Sequence, residues 1–256
     1  MQEYDEHAEA IILVKASPQF GKNHGETVCC AGVSLDGHWL RLYPVTFRTL
    51  DQASQFGRWD RIRFKCRKPQ NDQRPESRRV DHQSIEVIGS LKQSERQNFL
   101  SRLEVTSINA VKEKGGSLAL LRPRNPVFSI ERKDDAEVEE ERSRNKAFAA
   151  QPDMFTAAAA IIPYEPCPYR FKYRYETDDG TREGTCQDWE TDATFFHWSK
   201  HYGEEKALEH MRRVFGEEYP QKGMAFAMGT HSIYADTWLI NGAIRLDEII
   251  QQSLDF

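Results

Sequence analysis

The chain contains 256 residues, of which 39% are hydrophobic and 29% are charged. This composition excludes a collagen-like chain, a coiled-coil rod and a wholly disordered chain, because enough apolar and aromatic side chains are present to bury a core. The length fits one large domain or two small ones.

The sequence predicts a cytoplasmic protein that does not contact a membrane. Its longest apolar stretch, residues 157–163, is far shorter than the ~20 residues that cross a bilayer, and its acidic N-terminus lacks the features of a secretory signal. The five cysteines are odd in number and form no CxxC pair, which is typical of reduced thiols.

Charge is divided unevenly along the chain. Residues 11–133 contain 22 Lys and Arg against 12 Asp and Glu, whereas residues 134–256 contain 13 against 24. The first part is therefore predicted to attract polyanions and the second to repel them. The alternative interpretation is that the two parts attract each other within the fold.

Short strands are predicted first. The apolar run 10–16 indicates a buried strand. Residues 27–33 and 38–45 flank an Asp-Gly pair, which is a strong hairpin signal, and apolar residues at helical spacing predict a short helix over 46–56.

The clearest pattern in the chain is a cationic strand over residues 59–68. Three apolar residues alternate there with four cations, so a strand would place the two sets on opposite faces. The apolar set is Ile62, Phe64 and Cys66, and the cationic set is Arg61, Arg63, Lys65 and Arg67. A polar loop with three more arginines is predicted over 71–79, followed by a strand over 84–88.

Helices and strands alternate in the rest of the chain. Ser94 is the predicted N-cap of a helix over 95–103, a second helix ends near Gly115, and 117–121 and 127–132 are predicted strands. A hairpin is predicted over 168–186, with one aromatic and one cationic face. The remaining predicted elements are a helix through Trp198 capped by Asp188 or Thr191, a helix over 204–215, and strands over 224–228 and 237–246.

These elements predict an α+β protein in three segments. Residues 1–133 are a basic, strand-rich domain, 134–168 a linker or solvated helix, and 169–256 an acidic α+β domain. By analogy with other readers of single strands and modified bases, the first domain is predicted to be a small barrel of the OB or PUA-like type.

The cationic strand favours nucleic-acid binding. Arginine donates two parallel hydrogen bonds to phosphate, and every second residue of a strand lies ~6.6 Å from the last, close to phosphate spacing. The predicted phosphate contacts are Arg61, Arg63, Lys65, Arg67, Arg74, Arg78 and Arg79, with base stacking on Trp39 or Tyr43. The alternative is an exposed sheet face that arginine keeps soluble.

Two other functions stay open. A metal-dependent nuclease or hydrolase would hold a divalent cation between Asp188, Glu190 and either His197 or His231, although helix capping is the more ordinary role of these carboxylates. His197 and His201 are also poor candidates for a zinc site with Cys167 and Cys186. The third alternative is a protein-interaction module whose acidic half binds a basic partner. Apart from that divalent metal, no cofactor is predicted.

Overall fold

The computed structural model describes residues 4–16, 19–21, 25–45, 54–149, 165–231 and 233–247. The predicted helix over 46–56 lies mostly outside these ranges. The strands in the first part of the chain are β1 (Glu6–Lys15), β2 (Gln19–Gly21), β3 (Gly25–Val33), β4 (Trp39–Val45), β5 (Asp60–Arg67), β6 (Ser77–Ser90) and β7 (Glu104–Val105). The later strands are β8 (Leu118–Leu121), β9 (Arg124–Arg132), β10 (Tyr169–Thr177), β11 (Gly180–Thr185), β12 (Met224–Thr230) and β13 (Trp238–Arg245).

The helices lie between and after these strands. They are α1 (Gln93–Ser101), α2 (Ile108–Glu113), α3 (Asp135–Ala149), α4 (Trp189–Tyr202), α5 (Glu204–Met211), a π-helix (Arg212–Glu218) and α6 (Tyr219–Gln221). None of the described helices is long and apolar enough to span a bilayer.

Five strands form a closed barrel in the order β1-β5-β6-β4-β3, with β3 pairing back onto β1. The first half of β1 pairs with β5 and its second half pairs with β3. The two pairings meet at Ile11, and the register of β1 with β3 shifts between Ile12 and Val14. β4 and β6 run parallel, and the other barrel pairings are antiparallel.

This strand order is that of an OB barrel. Counted along the chain, the barrel strands are β1, β3, β4, β5 and β6, so the third and fifth are parallel neighbours in an otherwise antiparallel five-stranded Greek-key barrel. The predicted α+β class is confirmed. Of the two barrel types that the sequence suggested, the topology matches the OB type.

The alternating apolar side chains of β5 fill part of the barrel interior. Ile62, Phe64 and Cys66 point inward and are at most 1% exposed, and they pack with apolar residues of β1, β3, β4 and β6. The hairpin prediction is confirmed as well, since β3 and β4 pair across the turn that contains Gly37, whose φ of 91° suits glycine.

Two local predictions are wrong. The polar loop ends at Glu76, because Arg78 and Arg79 already belong to β6 and pair with β4. Ser94 lies inside α1, whose N-cap is Lys92 with no side-chain hydrogen bond. The loop ends early because β6 pairs with the distant strand β4 from Ser77 onward.

A middle sheet, in the order β13-β12-β8-β7, lies against the barrel. One face contributes Leu118, Leu120 and Ala227 to a core shared with Ala31 and Val33 of the barrel. The opposite face of the middle sheet packs against the aromatic hairpin and the helices. Because both faces are covered, every residue of β8 and β12 is buried, which is why these strands read as continuous apolar runs.

The hairpin β10–β11, with β9 beside it, forms the third layer. Phe171, Tyr173 and Tyr175 face inward, as their alternation with cations predicts, and they pack with Phe226 of the middle sheet. The Tyr173 hydroxyl donates to the Phe215 carbonyl at 3.0 Å, so this buried polar atom is satisfied. Helix α3 lies within the segment 134–168, and its Val138 is buried.

A buried ion pair joins the barrel to the later layers. Arg58, just before β5, donates through Nη2 to Asp188 at 2.6 Å and through Nη1 to the Ala243 carbonyl at 2.8 Å. Asp188 also accepts from the backbone N–H groups of Ala243 and Glu190, both at 3.1 Å. Its side chain is 2% exposed and that of Arg58 is 11% exposed.

Burial opposes the charges of this pair. It raises the pKa of Asp188, and the Arg58 charge counters part of that rise. Burial by itself would lower the pKa of Arg58, but the nearby charges of Asp188 and Glu190 raise it by more. Asp188 is thus the N-cap of α4, as predicted, and at the same time the counter-ion of a barrel cation.

We expect Asp188→Ala to lower the free energy of unfolding by about 3–5 kcal/mol, because it leaves the Arg58 charge buried without a partner. Urea denaturation measures this loss. The double variant Arg58→Met/Asp188→Leu should lose less than the single variant, since it removes both charges. The control is Arg144→Ala, which breaks an exposed pair with Glu140 and should cost at most about 0.5 kcal/mol. An Asp188→Ala loss no larger than the control's would contradict a structural role for the pair.

Candidate nucleic-acid interface on the barrel

The outer face of β5 carries the predicted row of cations. Arg63 and Lys65 are exposed, and Arg61 and Arg67 at the two ends are partly buried. The barrel core fixes this orientation, because the three apolar residues between them occupy the interior. The strand pattern therefore presents four cations on one side of β5, as the sequence predicts.

Two of these cations are already paired within the barrel. Arg61 and Arg63 both contact the Glu9 carboxylate on the neighbouring strand β1, Arg63 at 2.8 Å. Hydrogen bonds from the two guanidinium groups lower the pKa of Glu9. Glu86 of β6 lies 3.7 Å from Arg63 on the other side. The neutralising carboxylates thus come from the barrel itself and not from the acidic part of the chain.

At the other end of the row, two arginines lie beside two tyrosines. Arg67 faces Arg79 across β5 and β6, and Arg79 faces Tyr43 across β6 and β4. Tyr43 is 37% exposed, and Tyr4 lies against the Arg67 guanidinium at 5.9 Å. Within the described ranges, Arg79 forms no ion pair. This end combines two adjacent guanidinium groups with two aromatic rings.

Lys65 continues that surface along β5. Its ammonium forms no ion pair with any residue that the structure describes, although Asp81 lies opposite it in the strand register. The side chain is exposed. We name Tyr43, Lys65, Arg67 and Arg79 the open row.

Three predicted contacts lie elsewhere. Arg74, in the loop between β5 and β6, is held by Asp72 at 2.6 Å. Arg78 precedes Arg79 on β6 and therefore points the other way, toward Glu6 at 3.2 Å. Trp39 lies at the far end of β4 from Tyr43, ~13 Å along the strand.

Trp39 and Arg78 line an open groove at one end of the barrel. Its volume is about 860 Å³, and α2 and the β3–β4 turn form its other walls. Cations and carboxylates both line it, among them Arg102, Lys114, Glu6 and Glu76. The predicted residues therefore do not share one surface: most lie on the outer side of the barrel around β5, Trp39 and Arg78 line this groove, and Arg74 lies in the loop before β6.

The barrel face that OB folds commonly use is covered here. That face belongs to the second and third barrel strands, here β3 and β4. Ala31 and Val33 of β3 are buried against the middle sheet, and Arg41 of β4 is 6% exposed. The outer sides of β5 and β6 remain in solvent. Sequence reasoning missed Arg41, because a cation between Leu40 and Leu42 is indistinguishable from an exposed strand residue until the covering sheet is known.

The residues of the alternative hydrolase do not form a metal site. Among the described residues, no group of three or more His, Cys, Asp and Glu side chains could hold an ion. Asp188 is occupied by Arg58, and His231 accepts hydrogen bonds from the backbone of Ile233 and Tyr234 at 3.1 Å. The ring centroids of His197 and His201 lie 4.3 Å apart on α4, and the two rings are tilted by 39°. Cys167 and Cys186 are buried, free thiols.

Comparison with known proteins assigns the chain to a family. Residues 100–254 match the family described as "Domain of unknown function (DUF8757)", and residues 6–104 match "Domain of unknown function (DUF8758)". Because the first match spans more than half of the sequence, the chain belongs to the DUF8757 family. No curated protein matches it.

One solved structure that aligns with the chain is described as "Crystal structure of the tetrameric p202 HIN2". The alignment covers 94% of both chains at 11% sequence identity, with a TM-score of 0.28. At this level of similarity, the alignment defines neither the fold nor the function of the present chain.

Proposed function

We propose that this protein binds a single strand of nucleic acid on the outer face of β5 and β6, through the open row. The observation that carries the proposal is the adjacency of Arg67, Arg79 and Tyr43 on neighbouring strands. Two guanidinium groups beside an exposed ring match what a strand offers, which is phosphates at regular spacing and bases with flat faces.

The paired cations extend this surface. Arg61 and Arg63 share one carboxylate, Glu9, at the surface of the barrel. Exposed ion pairs contribute little to stability, so a phosphate can replace Glu9 at small cost. The strand would then run along β5 from Arg67 past Lys65 to Arg63, with contacts ~6.6 Å apart.

A catalytic role finds less support than binding. Asp188 is ion-paired with Arg58. Within the described part of the chain, the candidate acids and histidines do not form a group of three metal ligands. The proposal includes a cytoplasmic location, which the five free thiols favour.

The binding should depend strongly on salt. If about four phosphate contacts form, a plot of log K against log salt concentration should have a slope of roughly −3 for single strands. In Lys65→Ala/Arg79→Ala, loss of about two contacts should reduce the slope to roughly −1.5 and weaken binding to every sequence alike. Fluorescence anisotropy with DNA and RNA oligonucleotides between 50 and 200 mM salt measures both.

The matched control is Arg144→Ala/Lys200→Ala, which removes the same charge from exposed positions on α3 and α4. It should keep the parent slope. Absence of binding at 50 mM salt, or an equal loss in both double variants, would refute the proposal.

Glu9→Gln should act in the opposite direction and tighten binding about two- to fivefold, because it removes the carboxylate that competes for Arg61 and Arg63. Glu140→Gln makes the same charge change on α3 and should have no such effect. The same anisotropy titration compares the two. Equal affinities would show that Glu9 does not compete with the ligand.

A further inference from the structure

A buried guanidinium without a counter-ion lies where the barrel meets the middle sheet. Arg41 of β4 is 6% exposed. Its Nη2 donates to the carbonyl of Ser117 at 2.9 Å and to the Ser117 hydroxyl at 3.1 Å. Its Nε is buried and has no hydrogen-bond partner among the described residues. No ion pair to Arg41 is formed within those residues.

This arrangement is electrostatically unfavourable as it stands. The pKa of Arg41 is lowered to about 10, first by burial and then by the nearby charge of Arg74, while Cys29, Glu76 and Asp72 act in the opposite direction. A buried cation is normally paired, because its loss of hydration is otherwise uncompensated. The site therefore fits an anion that is not part of the protein.

A second cation and an unpartnered hydroxyl lie beside Arg41. Arg74 donates through Nη1 to the Thr230 carbonyl at 3.0 Å. The Thr230 N–H donates to the Ser117 carbonyl at 3.0 Å, which is the same oxygen that Arg41 contacts. Thr230 Oγ1 is buried without a hydrogen-bond partner in the described part of the chain. Arg41 and the Thr230 N–H thus donate to the same Ser117 carbonyl, and Arg74 donates to the carbonyl of Thr230.

The nearby carboxylates are committed to other donors. Asp72 accepts from Arg74 at 2.6 Å and from the Ser77 hydroxyl at 2.7 Å. Partial burial by itself would raise the pKa of Asp72. The hydrogen bonds from Arg74 and Ser77 lower it by more, and the resulting pKa is about 2. Glu76 accepts from the backbone N–H and the hydroxyl of Ser117, at 2.7 and 2.6 Å. Neither forms an ion pair with Arg41.

The site borders the open row. Tyr43 follows Arg41 on the same face of β4, and Ser77, which pairs with Arg41, is two residues before Arg79. Cys29 of β3 is partly exposed beside it; burial raises the pKa of its thiol, and the charges of Arg41 and Arg74 counter that rise. Arg41 therefore lies two residues from the open row along β4.

We propose that Arg41, Arg74 and Thr230 form a binding site for a phosphate monoester. A monoester carries up to two negative charges and three terminal oxygens, so it can accept from both guanidinium groups and the hydroxyl at once. A phosphodiester inside a strand has one negative charge and two terminal oxygens, so it matches two guanidinium groups and a hydroxyl less well than a monoester does. The monoester is the phosphorylated end of a strand or a free nucleoside monophosphate, and the strand end rests on the function proposed above.

The test compares ligands with and without the monoester on the full chain. The probes are adenosine monophosphate against adenosine, and one oligonucleotide bearing a 5′-phosphate, a 3′-phosphate or only hydroxyl ends. Isothermal titration calorimetry should detect the monophosphate and not the nucleoside. One of the two phosphorylated oligonucleotides should bind about tenfold more tightly than the unphosphorylated one.

Three variants separate binding from folding. Arg41→Gln should abolish the preference for phosphate, and Arg41→Lys should retain part of it if the glutamine variant proves unstable. Thr230→Val removes the unpartnered hydroxyl at nearly constant shape, so it should weaken monophosphate binding about threefold without lowering the melting temperature. The control Arg144→Gln should change neither.

The outcomes of the two proposals differ. Equal binding of all oligonucleotides, with no binding of the monophosphate, overturns the monoester site and leaves the open row intact. Binding of the monophosphate without binding of unphosphorylated strands supports the monoester site and overturns the strand-binding function. A phosphate preference that survives in both Arg41→Gln and Thr230→Val places the anion elsewhere and overturns the assignment.

Discussion

The buried Arg58–Asp188 pair connects the barrel to the middle sheet and α4 on the side of the barrel that is covered. It ties the entry of β5 to the N-terminus of α4 and to β13, and its charges are stable only when all three meet. Gly242 on β13 permits this approach, since a Cβ there would lie 3.1 Å from Val14. With the middle sheet held in this position, β1 and β3 are covered and β5 and β6 are left open.

This constraint accounts for both proposed sites. The open row lies on the uncovered strands, where a strand of nucleic acid can lie along β5. Arg41 lies on the covered side, where the middle sheet has removed solvent from a cation without supplying a carboxylate. The basic and acidic parts of the chain meet at particular points, such as Arg58, and two of the four cations of β5, Arg61 and Arg63, are balanced at the barrel surface by Glu9.

Local pattern was sufficient for much of the fold. Alternation in β5 and β10, the Asp-Gly turn and the Asp188 cap each depend on near neighbours in sequence, and they were predicted correctly. Contacts between residues that are distant in sequence could not be predicted from local pattern. The competition of Glu9 for Arg61 and Arg63 follows from the register of β1 on β5, and the burial of Arg41 follows from a sheet formed 76 residues later. Alternation placed the cations on one face, but it carried no information about which of them were already paired.

Chemical-shift mapping by NMR tests the central claim most directly, because it reports the contacted face without any substitution. A single-stranded oligonucleotide added to the ¹⁵N-labelled protein at low salt should shift resonances of β5, β6 and the end of β4 around Tyr43. Resonances of α4, α5 and β10 should stay unchanged. Shifts confined to those later elements, or no shifts at saturating oligonucleotide, would contradict the account.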